Sequence, residues 1–464
     1  MDAQTGSTPL SPPPGCPMHQ QPQQPTPLYG ADFAADPARF YDHMRAQGPV
    51  APVELAPGVE ATLVIQHEAA LRVLQNPALF VRDSRRWRAL NEGRVPMDSP
   101  VLPMMYYRPN CLFSDGSEHL RLRKVVTESL AKINTSRLGR DVERIADYLI
   151  DRFSERGTAD LLHDYAKLLP LLLINQLFGC PGDLGDRLMR NLSDLFDGRD
   201  VVRANEDMTA CLLELIALKR RQPAEDMTSW MVQHPAGLTD EEMKDQLATL
   251  IGAGVEPERN LIGNGLLLLL SPDSASDTGS RGAGLLVEDA LDHVLWNNSP
   301  IANYATHFPV QDIALGDITL PANDPVVISF AAANTDPSLT DARLTLSKGA
   351  HLAWGAGPHS CPAKSPARII ALTAIERLLN ALPDLALAVP EDKLEWRQGP
   401  FHRALVSMPV LFSPTPARRS LPVQPPAPAA PPAGGSVQQP TSHRSEAPRK
   451  QKGWWSSFLD VFRM

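Results

Sequence analysis

Cys361 lies between a glycine-rich stretch and a long run with helical periodicity, in the segment HLAWGAGPHSCPAKSPARIIALTAIERLL. Gly355 and Gly357 leave the backbone near the sulfur without bulky side chains, so that a flat ligand could approach the thiolate. The amides at the start of the following helix would point toward the sulfur and lower the pKa of the thiol. The pattern predicts a thiolate that acts as a metal ligand. A loop cysteine without a role is the alternative.

Other catalytic patterns are missing from the sequence. The five cysteines are widely and irregularly spaced and form no CxxC pair, which fits a reducing compartment. A zinc site built from His359 and Cys361 lacks further ligands at the usual spacing. The sequence contains neither the GxSxG turn of a Ser/His/Asp hydrolase nor the GxxxxGK[ST] loop that binds nucleotide phosphates.

Composition limits the class of protein. The 464 residues are 43% hydrophobic and carry a net charge of -9, which allows a large globular core and gives no basic footprint for nucleic acid. The first residues lack the basic and apolar regions of a secretory signal. No apolar run reaches the ~18 residues of a membrane span. We therefore expect a cytoplasmic protein without a nucleic-acid partner.

Prolines divide the chain into regions. The 45 prolines crowd residues 1–27 and 413–452, where branched apolar residues are scarce, so we predict disordered arms around a folded unit at 28–412. Residues 453–464, GWWSSFLDVFRM, form an amphipathic helical pattern that is too short to hold a helix alone in water. This segment should dock on its own domain, on a partner protein or peripherally on a membrane surface, and these alternatives stay open.

The spacing of apolar residues within the folded unit is mostly helical. Helical periodicity is clearest in residues 36–47, 68–77, 117–133, 140–156 and 241–254. Strand-like runs are fewer and occupy residues 61–66, 318–331 and 404–412. The prediction is a mainly α-helical domain with small β-sheets near its two ends.

The segment WGAGPHSCPAK resembles the haem-binding signature of the cytochrome P450 superfamily, in which an aromatic residue and Gly-x-Gly precede a basic residue and the cysteine. The resemblance implies that Trp354, Gly355 and His359 contact haem b and that Cys361 is the axial thiolate of the haem iron. One departure is Ala363, where the family usually has glycine. The resemblance covers most of residues 28–412 and implies the cytochrome P450 fold, with haem between a long I-helix and the cysteine loop with its L-helix.

Two further segments resemble the family at fitting distances along the chain. DGSEHLRLRKVV is similar to the C-helix, which implies that His119 and Arg123, four residues apart on one helix face, donate to the haem propionates. A solvated basic face is the alternative. The stretch that follows Ser299 resembles the sheet region after the K-helix and places His307 where relatives usually have a propionate-binding arginine. A histidine there would make propionate binding weaker or dependent on pH near neutrality.

The stretch LATLIGAGVEPERNLIGNGLLLLL resembles the I-helix that crosses the distal haem face. The resemblance implies that Ala253 and Gly254 leave room for dioxygen and that Glu256 is the catalytic acid. Pro257 replaces the usual threonine and is expected to kink the helix and free a carbonyl. Two interpretations remain open. Water held by Glu256 and the freed carbonyl replaces the hydroxyl, or Pro257 only bends a packed helix and Glu256 faces solvent.

The segment EDALDHVLWNNSP lacks the Glu-x-x-Arg ion pair of the family. His293 and Trp296 occupy the two positions. Loss of both partners is tolerated better than loss of one, because no charge is left unpaired. In this respect the chain resembles an actinobacterial group of the superfamily that also lacks the pair.

The resemblance implies a monooxygenase that takes electrons from a ferredoxin-type partner and inserts one oxygen atom of O2 into a small apolar substrate. The cysteine loop and Glu256 favour this interpretation. Pro257 favours the alternative, which is a catalytically impaired haem protein that acts as a sensor or docking component of a signalling assembly.

Overall fold

The structure is a computed structural model that describes residues 24–196, 200–271, 286–315, 318–340 and 347–417. Helices make up most of the described chain and small sheets accompany them, which confirms the predicted fold class. The predictions for residues 1–23 and 418–464, including the whole segment 453–464, lie outside the described residues.

The described chain extends slightly beyond the predicted limits at 28 and 412. Thr26–Pro27 form a strand parallel to the next strand of the sheet. Beyond the other limit, the Ser413 N–H donates to Asp384 Oδ2 at 2.9 Å and the Thr415 N–H donates to Ser154 O at 2.9 Å.

The helices agree with the periodic stretches of the sequence. The α-helices are α1 (Ala31–Ala35), α2 (Pro37–Arg45), α3 (His67–Leu74), α4 (Arg88–Asn91), α5 (Leu102–Met105), α6 (Gly116–Leu130), α7 (Thr135–Asp151), α8 (Leu168–Leu177), α9 (Gly182–Phe196), α10 (Val201–Arg221), α11 (Met227–Val232), α12 (Asp240–Leu270), α13 (Val287–Asn297), α14 (Phe330–Asn334) and α15 (Lys364–Ala381).

The strands form three sheets within the described ranges. They are β1 (Thr26–Pro27), β2 (Val50–Ala56), β3 (Val59–Val64), β4 (Phe80–Val81), β5 (Thr158–Asp160), β6 (Asn303–Pro309), β7 (Ile313–Leu315), β8 (Ile318–Leu320), β9 (Val326–Ser329), β10 (Ala386–Leu387) and β11 (Pro409–Leu411). The largest sheet has the order β1-β2-β3-β9-β6-β4. Strands from the early and late parts of the folded unit pair in this sheet.

Helix α12 runs through the centre of the helical core. A capping box at Thr239 and Glu242 fixes its first turn. Buried leucines of α8, α13 and α15 pack around it, so its middle section is held from several sides. The helix continues through Pro257. No helix in the described ranges is long and apolar enough to cross a bilayer.

Candidate active site

Two hydrogen bonds donated by backbone amides close the loop around Cys361. The Cys361 N–H donates to Trp354 O at 2.8 Å, and the Ala363 N–H donates to Cys361 Sγ at 3.4 Å. Gly355 and Gly357 have φ of 66° and 67°, in the left-handed region that favours glycine. The loop thus presents the sulfur at the start of α15, as the sequence predicts.

The protonation of Cys361 differs from the prediction. The Ala363 amide, Arg123 and Lys364 each favour the thiolate, but burial outweighs them and raises the pKa of the Cys361 thiol above its usual value. Glu258 of α12 acts in the same direction on this pKa, so α12 passes within electrostatic reach of the sulfur. A cation at the sulfur would be needed to stabilise the thiolate.

His119 and Arg123 of α6, the two predicted propionate ligands, both contact this loop. The rings of His119 and His359 have centroids 4.0 Å apart. Arg123 donates from Nη2 to Ser360 O, next to the cysteine. Burial and the nearby guanidinium groups lower the pKa of His119 to about 4, so its imidazole is neutral at pH 7. Helix α6 and the loop therefore form one group of hydrogen-bond donors.

Arg82 is a member of this group that the sequence did not reveal. Arg82 is the residue after β4 in the chain and is 3% exposed. Its charge lowers the pKa of His119, His307 and His359. The Arg82 Nη1 atom has no hydrogen-bond partner among the described residues. No motif or periodicity distinguishes this arginine from Arg85, which is exposed, so only the fold identifies it.

His307 enters the same group through an irregularity in β6. Ala305 has φ of 53°, and the register of β6 against β9 shifts between Tyr304 and His307. The His307 ring donates from Nδ1 to Ala305 O. Burial and Arg82 hold the pKa of His307 well below its usual value. The imidazole is therefore neutral near pH 7, rather than titrating there as the sequence suggested.

Helix α12 contributes small residues in its middle section. Gly252 and Ala253 are exposed, although Ile251 and Val255 beside them are buried, so this face of the helix borders open space. Gly254 points elsewhere, since a Cβ on it would lie 2.8 Å from Ile174 Cδ1 of α8. Its lack of a side chain allows α8 to pack closely, which differs from the predicted role beside dioxygen.

Glu256 lies on the same face of α12 and is 6% exposed, so it does not face solvent. Its Oε1 accepts a hydrogen bond from Arg397 Nη1 and lies 3.4 Å from Arg259 Nη1. Burial opposes ionisation, but Arg397 and Arg259 prevail and lower the pKa of the Glu256 carboxyl. The interpretation in which Glu256 faces solvent was wrong. The arginine that binds this carboxylate, Arg397, lies 141 residues later in the chain, so the local sequence does not reveal the contact.

The lost Glu-x-x-Arg pair is replaced by other contacts. The Trp296 indole donates from Nε1 to Lys348 O at 2.7 Å, and its ring meets the His351 ring edge to face at 5.7 Å. Asp292, next to His293, forms an ion pair with Arg368 of α15. Helix α13 is therefore still attached to the segment that leads into the cysteine loop.

Asn334 adds a further link beneath the loop. Its Nδ2 donates to Leu295 O of α13 at 3.1 Å, and its Oδ1 accepts from the Leu352 N–H at 2.7 Å. Asn334 is fully buried. One amide side chain therefore joins α13 directly to the first turn of the cysteine loop.

Glu258 is a buried acid next to Pro257 that faces α15. It is 5% exposed, and its Oε1 has no hydrogen-bond partner among the described residues. Burial raises the pKa of the Glu258 carboxyl well above its ordinary value of 4.5, while a backbone contact with Ala371 opposes the shift. Over a range of pH above 4.5, the Glu258 carboxyl is therefore protonated in the folded protein and ionised in the unfolded chain.

This difference predicts a dependence of stability on pH. Because the unfolded chain loses the Glu258 proton near pH 4.5, stability should fall as pH rises above that value, by up to about 1.4 kcal/mol per pH unit, until the folded carboxyl ionises. Glu258→Gln should remove this contribution and raise the free energy of unfolding at pH 7. Urea unfolding between pH 5 and pH 8 measures the slope. The exposed Glu68→Gln is the control, and equal slopes for the two variants would contradict the prediction.

The residues present fit a haem group. Cys361 supplies a sulfur ligand for iron, and Arg82, Arg123 and His119 form a largely buried set of donors. The Arg82 Nη1 and His119 Nε2 atoms have no partner in the described chain, which suits a pair of carboxylates such as the propionates. The small residues of α12 leave room beside a flat ring system.

Comparisons with known proteins agree with this chemistry. No family model matches the chain. The chain is 33% identical over 399 residues to cytochrome P450 monooxygenase PikC of Streptomyces venezuelae, covering 82% of this chain and 92% of that protein. It is 31% identical over 397 residues to cytochrome P450 107B1 of Saccharopolyspora erythraea, covering 82% and 95%. A solved structure of myxobacterial CYP267B1 in complex with myristic acid has a TM-score of 0.72 at 27% identity and covers 83% of this chain and 98% of that one.

The relatives decide between the two interpretations of the sequence. They are named as P450 enzymes, and the first is named a monooxygenase, whereas none of these names describes a sensor. Together with the cysteine loop and the fold, they show that this chain belongs to the cytochrome P450 superfamily of monooxygenases.

Proposed function

We propose that this monooxygenase binds haem b through Cys361 and inserts one oxygen atom of O2 into a small apolar organic substrate, with electrons from a ferredoxin-type partner. The observation that carries the proposal is the Cys361 loop, which holds the sulfur next to the Ala363 amide and beside buried donors. The apolar substrate class is supported by the structural relative in complex with myristic acid.

The chain's own residues hold and orient the cofactor in this proposal. A thiolate-bound haem supplies the electron-rich iron that cleaves the O–O bond of O2. Arg82, Arg123 and His119 bind the propionates, and the neutral His307 and His359 lie beside them. Trp354, whose carbonyl accepts from the Cys361 amide, and Gly355 keep the loop open beneath the ring.

Helix α12 provides the oxygen side of the site. Gly252 and Ala253 leave space, and Pro257 has no N–H to donate to the carbonyl of Ala253 four residues earlier. This carbonyl can accept a hydrogen bond from a water molecule, so it takes over part of the role of the absent threonine hydroxyl. Gly254 contributes indirectly, because its lack of a side chain allows α12 to pack closely against α8.

Glu256 serves as a fixed carboxylate in this proposal. Because Arg397 and Arg259 keep it ionised, it accepts hydrogen bonds from water and does not itself store a proton. Together with Ala253 O, it is suited to orient the water that would carry protons to the oxygen side of the site. Its two arginines also attach the loop that contains Arg397 to α12.

The carbonyl complex of the reduced protein tests the proposal. The purified protein should show the strongly red-shifted Soret band of a thiolate ligand, and Cys361→Ala should abolish it. Cys111→Ala serves as the matched control, because Cys111 is a buried cysteine outside the loop. An imidazole-type spectrum in the unmodified protein, or a red-shifted band that survives Cys361→Ala, would contradict the assignment of Cys361 as the haem ligand.

A further inference from the structure

An open groove lies beside the cysteine loop. It has a volume of about 250 Å³ and lies between the end of α6, the start of α7 and the start of α15. Its walls include Leu130, Ile133, Pro362 and Pro366, and none of the residues that line it is ionisable. Small-molecule sites are usually larger, from roughly 300 Å³ upward. A groove of this size and lining fits one large apolar side chain.

Residues 453–464 carry side chains of this kind. Trp454, Phe458 and Phe462 follow one another at intervals of four, and Trp455 and Leu459 extend the same face of a helix. A helix this short needs a surface to form against. Short amphipathic helices typically bind by placing an aromatic anchor in an apolar groove.

The position of the last described residues makes the groove accessible to this segment. The Ala417 N–H donates to Glu155 Oε1 at 3.3 Å, just beyond the last turn of α7. The groove lies at the first turn of the same helix, where Thr135 lines it. The 17 residues of α7 span about 26 Å. Residues 418–452, which are rich in proline, could span about 100 Å if extended at about 3.1 Å per residue.

We propose that residues 453–464 dock into this groove of their own chain, with Trp454 or Trp455 as the anchor. Pro362, the residue after the proposed iron ligand, forms part of the wall. The docked segment therefore covers the outer side of the Cys361 loop and competes with any protein that delivers electrons from this side. This inference goes beyond the proposed function, and the binding it describes does not depend on turnover.

A labelled peptide of residues 453–464 tests the docking directly. Fluorescence anisotropy would measure its binding to the full-length haem protein with Trp454, Trp455 and Phe458 changed to serine, which leaves the groove free. We expect saturable binding to this variant. Binding to the unmodified protein should be at least tenfold weaker, because its own segment occupies the groove at a high effective concentration.

A substitution in the groove provides the matched control. Ala131→Arg, at an exposed lining position, should weaken peptide binding at least tenfold, whereas Ala38→Arg, at an exposed position of α2, should leave it unchanged. Equal binding to the Ala131→Arg and Ala38→Arg proteins would overturn the proposal. Binding of the peptide to lipid vesicles but not to the triple-serine protein would also overturn it and would favour a membrane surface.

Discussion

Replacing Arg82 by methionine is expected to destabilise the haem-bound protein and to stabilise the haem-free protein. Without haem, Arg82, which is 3% exposed, has the Leu112 carbonyl, Tyr304 and the nearby Asp115 among the described residues to offset its burial, and burial lowers its pKa. Removing such a charge should raise the free energy of unfolding by about 1–2 kcal/mol. With haem bound, the same change removes a charged hydrogen bond worth about 1.5–3 kcal/mol, or roughly 10- to 150-fold in haem affinity.

Two measurements separate these opposite effects. Transfer of haem to apomyoglobin gives the change in haem retention, and urea unfolding of the haem-depleted protein gives the change in stability. Arg85→Met is the matched control, since the Arg85 side chain is 59% exposed and pairs with Asp83. The control should change stability by less than about 0.5 kcal/mol. If Arg82→Met retains haem as well as Arg85→Met does, Arg82 is not a propionate ligand.

The second large effect is expected from Gly357→Ala in the cysteine loop. A Cβ at Gly357 would lie 2.2 Å from the backbone oxygen of Leu74, at the end of α3. Backbone cannot move aside as a flexible side chain can, so the loop must shift relative to α3. Added to the roughly 1–2 kcal/mol that an alanine costs in the left-handed region, this clash should bring the total cost to several kcal/mol.

Gly355→Ala is the matched control for this prediction. Gly355 has nearly the same φ, but a Cβ there would meet no described protein atom closer than 3.8 Å, so no clash with α3 adds to the backbone cost of about 1–2 kcal/mol. Urea unfolding of both variants in the haem-depleted form measures the difference. Equal losses for the two variants would show that contact with α3 does not determine the loop conformation.

The sequence was sufficient for the parts of the site that lie within one segment. The Cys361 loop, the spacing of His119 and Arg123 on one helix and the long helix α12 follow from local patterns, their roles follow from the family resemblance, and the structure has them in these elements. Arg82 and Arg397 could not be found in this way. Their importance comes from burial and from contacts with residues far away in the chain, which local patterns do not encode.

The electrostatic expectations failed for a related reason. Spacing indicates which charges are near one another, but it does not give the degree of burial. Burial reverses the expected direction of the pKa shift at Cys361 and makes His307 neutral near pH 7. At Glu256 the two arginines outweigh burial. Burial and nearby cations therefore oppose each other at Cys361 and Glu256, with different outcomes, and act in the same direction at His307.

The attachment of α13 to the cysteine loop has a consequence for the solvent conditions that this protein tolerates. Asn334 and the Trp296 indole make part of this attachment with uncharged donors and acceptors, in addition to the Asp292–Arg368 ion pair. Dissolved ions screen charge pairs near the surface within about 10 Å at 0.1 M salt, but they have little effect on a buried amide bonded to a carbonyl. The loop that holds Cys361 should therefore keep the uncharged part of its support at ionic strengths that weaken the exposed ion pairs of the surface.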